Sequence, residues 1–224
     1  MGRRPRQGPP RPPAAPADIQ LASDPQPDLE HEQTVEAAAY YDVDLTNRLA
    51  ERVEFFQCRF KKATLAGSHL AKVRFTDCLV ETSDLSNLRA EKGTLERVKL
   101  SDCRMTGLAW SDGLISDATF TDCKIDLTNW RFARFDVVTF EDCNLSGADF
   151  TDADLRGASF TGCDLSGAQF HNAKMAGTRF RTCELEGVGG IANWEGAIVH
   201  PDDLLGLSYV LAGALGIVVR ETDR

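Results

Sequence analysis

Every fifth residue from Leu45 to Leu185 is apolar, and of these twenty-nine positions only Ala50 and Ala90 are small. Ten of the twelve phenylalanines fall in this frame, Phe120, Phe140, Phe160 and Phe180 among them; Phe56 and Phe132 lie outside it. Two residues before each member runs a second series, small almost throughout: Cys58, Ala63, Ser68 and Val73 early, Ala148, Ala153, Ala158 and Cys163 late. Arg48, Leu88 and Leu108 are its misfits. The remaining three places in each five are largely polar, charged or glycine. A period of five fits neither the 3.6 of an α-helix nor the two of a plain strand. It requires a backbone that returns every fifth side chain to one interior. A square coil does so, with five residues to a side, twenty to a turn, and both series pointing inward. The pattern predicts an all-β solenoid.

All seven cysteines (Cys58, Cys78, Cys103, Cys123, Cys143, Cys163, Cys183) belong to the small series. Their spacing is 20 residues except for one gap of 25, so Cys103 to Cys183 stack on one face. Neighbours in such a stack have Cβ atoms about 4.8 Å apart, outside the usual disulfide range. A single file also cannot surround a zinc ion. The expectation is free, buried thiols acting as small hydrophobes, with no metal and no cofactor, as suits a reducing compartment. Across the long gap the frame weakens: Leu88 is large, Ala90 small, and Gly93 bare. Either the cysteine column steps to the adjacent face, or residues 89–93 loop out around Glu91 and Lys92. The charged Glu91-Lys92 pair suits a loop, and the sequence leaves both readings open.

Segments such as Ala148-Asp149-Phe150-Thr151-Asp152, Ala153-Asp154-Leu155-Arg156-Gly157 and Cys163-Asp164-Leu165-Ser166-Gly167 resemble the A(D/N)LXX unit of the pentapeptide-repeat proteins. The resemblance spans roughly residues 43–188. It implies that family's right-handed quadrilateral β-helix, here of about seven coils and about 35 Å long at the usual strand spacing.

Eight of the nine prolines lie in the first 27 residues, so residues 1–33 read as an extended or disordered tail. Its Arg3-Arg4-Pro5-Arg6 and PPRPP runs also suit a docking peptide. Residues 34–44 read as an N-terminal cap, with Val35 to Tyr41 as a short helix. The repeat proper occupies 45–188, and residues 189–224 form a C-terminal cap. There Pro201-Asp202-Asp203 starts a helix whose apolar stripe is Leu204, Leu207, Leu211 and Leu215, and Gly216 stops it. Ile217-Val218-Val219 reads as a strand, and Trp194 and Ile198 as the seal on the last coil. The apolar surface exceeds one stripe, which suggests a homodimer through this helix.

The chain of 224 residues carries a net charge of -9, a poor balance for gripping nucleic acid directly. No apolar run reaches the length of a membrane span, and the expected setting is cytoplasmic. Four scattered histidines and no nucleotide, hydrolase or zinc-protease signature point away from catalysis. What remains is surface. The best-characterised branch of the resembled family protects DNA gyrase or topoisomerase IV from quinolone-type drugs, as a proposed mimic of B-form DNA. Residues 45–188 hold 19 basic and 21 acidic side chains, weak for such a mimic. Residues 101–165, however, hold 5 basic and 12 acidic ones. Within that block Asp102, Asp122 and Asp142 recur every 20 residues, and with Asp112, Asp117, Glu141 and Asp152 they form the candidate partner-binding acidic surface. The partner is a protein, either a type II topoisomerase or another, in which case the rod is a generic interaction scaffold.

Overall fold

The computed structural model describes residues 8–22 and 29–219. Short parallel strands stack with a register of twenty: Phe120 pairs with Phe140, Phe140 with Phe160, and Phe160 with Phe180. The result is a parallel β-solenoid of about nine turns closed by one C-terminal helix. Its corners follow from backbone geometry. The second residue after each frame position except Leu155 sits in the left-handed region, with φ of 49–61° wherever it is not glycine. Asp, Asn and Gly tolerate that region best, which explains their abundance at these positions.

Inside, the frame residues pile up as continuous columns. The rings of Phe120, Phe140, Phe160 and Phe180 stack with successive centroid distances of 4.7, 5.0 and 5.2 Å. A second column runs through Phe150 and Phe170 at 5.3 Å. Each ring is buried and stacked face to face on its column neighbours, and all but Phe140 also meet another ring edge to face, the two favoured aromatic geometries.

The stack is about two turns longer than the seven expected, at both ends. Val35 to Tyr41 is not a helical cap: Thr34–Glu36 and Ala38–Tyr41 are strands that pair with residues 54–56 and 59–61. Val35 and Tyr40 continue the five-residue frame, Ala38 fills the small position between them, and Glu32, Ala37 and Asp42 turn the corners. Tertiary pairing thus overrides the helical propensity of alanine. Gln20–Leu21 adds a further strand beside Ala38 and Ala39. At the other end Ile198–Val199 pairs with Arg179 and Phe180.

Residues 89–93 do not loop out. Arg89 bridges His69 below and Ala109 above, and the N–H of Ala90 donates to the Ala109 carbonyl at 2.8 Å. The cysteine column steps instead. Val98 and Ala118 continue above Cys58 and Cys78, while Cys103 begins above Ala63 and Ser83. The small residues here are compensated by a large one. A Cβ added at Gly93 would lie 2.7 Å from the Trp110 indole, and one at Gly113 would lie 2.4 Å from it. The indole fills the space that Ala90 and Gly93 leave, and its Nε1–H donates to the Gly93 carbonyl at 3.2 Å.

At the C-terminal end Trp194 seals the core, while Ile198 is half exposed and contributes little to the seal. The helix Leu204–Ala214 follows a 3-10 turn over Pro201–Asp203, and Gly216 (φ 72°) lies just past its end. It packs through Leu207 and Val210. Of the expected apolar stripe Leu207 is buried, while Leu204, Leu211 and Leu215 face water, because the helix meets the rod over little more than one turn. Ile217, Val218 and Val219 are exposed and form no strand. The expected tail falls partly outside the described residues, Arg3 to Arg6 included. Its described part, from Gly8 onward, lies along the rod instead of running free. No helix among the described residues is long and apolar enough to cross a membrane.

Candidate functional site: acidic edges of the rod

Residues twenty apart share an outer column, and residues ten apart stand on opposite edges. This geometry divides the candidate acids into three groups. Asp102, Asp122 and Asp142 stack at one left-handed corner, with φ of 53, 53 and 52°. All three are exposed, as is Glu141 beside the last, and none has an ion pair among the described residues. The column ends where Gly162 replaces the next acid: a Cβ there would lie 2.1 Å from the Asp142 carboxylate.

Asp112 and Asp152 stand half a turn away, so the structure does not bring them to the same edge. Between them in their column is Phe132, more than half exposed although its φ is 60°. The Arg131 guanidinium lies 5.7 Å from the ring centroid. A bulky side chain in the left-handed region is unusual. Its position outside the apolar frame was the only sign of it in the sequence.

Asp117 belongs to neither edge, and it is not available to a partner. It is buried within a third column, and the Arg11 side chain holds it through Nε and Nη2 at 3.0 and 2.8 Å. Spacing within the repeat could not reveal this, since the partner arrives from the tail.

Several other acids of the middle block are neutralised locally. Asp149 pairs with Arg131 at 3.2 Å and Asp154 with Arg156 at 2.6 Å. Burial raises the carboxyl of Asp154, but the hydrogen bonds and charge of Arg156 outweigh it and hold the group below its ordinary value. Asp136, Asp152 and Asp164 also lack an ion pair among the described residues but are half-buried, so Asp102, Asp122 and Asp142, with Glu141, are the acids of the block that are both exposed and unpaired.

The cysteines are all free and buried. Cys103 donates its S–H toward the carbonyls of Val80 and Ser101 at 3.4 and 3.3 Å, and Cys163 does the same toward Phe140 and Thr161. The hydroxyls of Ser68 and Thr178 make the equivalent bond, to Leu45 and Leu155 at 2.7 and 2.8 Å. The small position thus selects residues that fit and can satisfy a buried carbonyl. Burial pushes the Cys78 thiol well above its ordinary value, the opposite of what a nucleophile needs. Among the described residues no group of three His, Cys, Asp or Glu side chains could hold a metal ion.

Among solved structures, a trypsin-treated form of QnrB1, described as a plasmid-mediated fluoroquinolone resistance protein, is 19% identical over 92% of this chain and 98% of its own, with a TM-score of 0.40. HetL from the cyanobacterium Nostoc sp. strain PCC 7120, a pentapeptide repeat protein involved in heterocyst differentiation regulation, is 18% identical over 75% of this chain and 87% of its own, with a TM-score of 0.30. No curated protein sequence matches the chain. The sequence model described as "Pentapeptide repeat region" matches residues 53–130 and 115–189. That span is the same run over which the five-residue frame, the left-handed corners and the stacked phenylalanines were found, and the chain belongs to the pentapeptide-repeat family.

Proposed function

We propose that the protein is a non-catalytic binding rod whose acidic middle edge docks on a basic protein surface. The supporting observation is the column Asp102, Asp122 and Asp142: three exposed, unpaired carboxylates one strand spacing apart, flanked by Glu141. Stacked like charges repel and cost stability. Corner geometry accounts for an aspartate at each position, but asparagine and glycine satisfy the same corner without the repulsion.

The finer reading makes that basic surface the DNA-binding groove of a type II topoisomerase. Residues 101–165 hold 12 acidic and 5 basic side chains, and Arg11 brings the basic count to six. Spread over about three turns, this is roughly one net negative charge per 2–3 Å, against about 1.7 Å per charge in B-DNA. The density is comparable, although it covers only a third of the rod. A second copy of the chain is the partner we assign to the other exposed surface, the apolar face of the C-terminal helix.

The deciding experiment is supercoiling by purified gyrase, with and without a quinolone, while the protein is titrated in. Inhibition or protection that disappears in the D102N/D122N/D142N variant supports the mimic. An absence of effect at micromolar concentration removes it and leaves the scaffold reading.

A further inference from the structure

The N-terminal segment lies against an outer column separate from the proposed binding edge. That column climbs through Asp77, Arg97, Asp117, Val137, Gly157 and Gly177. The Ala14 N–H donates to Asp77 Oδ1 at 2.9 Å, and the Arg11 N–H donates to Asp117 Oδ1 at 3.0 Å. The Arg11 guanidinium closes on the other oxygen of Asp117. Arg97 grips Asp77 from within the column, through Nε and Nη2, both at 2.8 Å, and Arg59 reaches the Ala14 carbonyl at 3.4 Å. Further up, Gly8 borders a cavity of about 110 Å³ over Val137, Gly157 and Gly177, where the column carries no large side chain.

The spacing is a match of two periods. The segment reads Gly8-Pro9-Pro10-Arg11-Pro12-Pro13-Ala14, with proline at every place except each third. A polyproline II helix has three residues per turn, so positions 8, 11 and 14 share one face and stand about 9.3 Å apart. Two coils of the rod span about 9.6 Å. The non-proline residues, which alone carry N–H groups, therefore meet every second coil: Ala14 at Asp77, Arg11 at Asp117 and Gly8 at Gly157. Proline fixes φ in advance, so little chain entropy is lost on docking.

We propose that this column is a binding site for a polyproline II peptide of the pattern X-Pro-Pro-Arg-Pro-Pro-Ala, and that the chain's own N-terminus is its resident ligand. Two buried carboxylates spaced to receive two backbone N–H groups and one guanidinium recognise main chain and arginine together. Because the ligand is tethered, it fills the site at a high effective concentration and keeps a free peptide of the same pattern out.

The test uses the full chain. Amide hydrogen exchange is measured at Arg11 and Ala14, and a fluorescent peptide covering residues 8–16 is titrated against wild type and Arg11→Glu. Protected amides are expected in wild type. The Arg11→Glu protein, with its own segment unseated by repulsion from Asp117, should bind the peptide at least tenfold more tightly than wild type does. Adding Asp117→Asn should reverse that gain. Unprotected amides at Arg11 and Ala14 overturn the proposal. So does failure of Arg11→Glu to gain peptide binding while circular dichroism shows its coils intact.

Discussion

Trp194 lies flat on Phe180, the ring centroids 4.5 Å apart and the planes 11° from parallel, and it meets Phe170 edge-on at 5.3 Å. The indole thus stands where another coil would place its next frame residue, covering both aromatic columns at once. Trp194→Ala should lower unfolding stability by about 3 kcal/mol, read from urea midpoints. Ile198→Ala, at a half-exposed position in the same cap, should change it by less than about 0.5 kcal/mol.

Asp203 completes the same end with a hydrogen bond. It follows Cys163 and Cys183 at a spacing of twenty, and its Oδ1 accepts the Cys183 N–H at 2.9 Å. Ser68 and Ser83 perform this service within the rod, for the N–H groups of Arg48 and Ala63. Asp203→Ala leaves the Cys183 amide buried and unpaired and should cost about 1–3 kcal/mol. Asp203→Asn keeps the acceptor and should retain most of the stability in thermal melts.

Phe132 stores strain at an exposed corner. Asparagine adopts the left-handed region more readily, so Phe132→Asn should raise stability by about 0.5–1 kcal/mol. A gain in the melting temperature checks this. If the same substitution weakens partner binding, the ring is retained for contact and not for folding.

The seating of the N-terminal segment should depend on acidity. Burial raises the Asp77 carboxyl, but hydrogen bonds from Arg97 and the Ala14 N–H, with the charges of Arg97 and Arg11, hold it below its ordinary 3.8. Glu96, bound to Arg97, and Asp117, bound to Arg11, are the other acids near this group. A depressed carboxyl stabilises the folded arrangement above the unfolded value and loses that contribution as pH falls through the folded one. Docking should therefore be complete at neutral pH and weaken only as pH falls below 3.8, seen as rising amide exchange at Ala14. A segment still protected at pH 2 would contradict this.

The helix Leu204–Ala214 leaves Leu204, Leu205, Tyr209, Leu211 and Leu215 exposed, Leu205 and Leu215 by 73 and 76%. Light scattering should report a dimer, and Leu205→Glu with Leu215→Glu should return a monomer. A wild-type monomer at high micromolar concentration would remove the dimer reading.

The rod was legible because a frame of five leaves the chain one solution, and the stacked phenylalanines are its direct expression. The expected length fell short because the count began at Leu45, although Val35 and Tyr40 already keep the same step. Alanines at 37–39 suggested a helix where two strands form, since propensity is a local preference and coil pairing is not. The split of the acids follows from the twenty-residue turn: Asp102 and Asp112 are near in sequence and on opposite edges in space. Asp117 was misassigned for a different reason. Its burial is imposed by Arg11, 106 residues away, and no periodicity inside the repeat encodes that.

In a solenoid each turn touches only the turns beside it, so fraying starts at an end and proceeds one layer at a time. A segment pinned at Asp77 and again at Asp117 joins layers that are not neighbours. It works as a lengthwise stay: the layers between those anchors cannot peel away singly without first detaching it, which makes the middle of the rod open as a block.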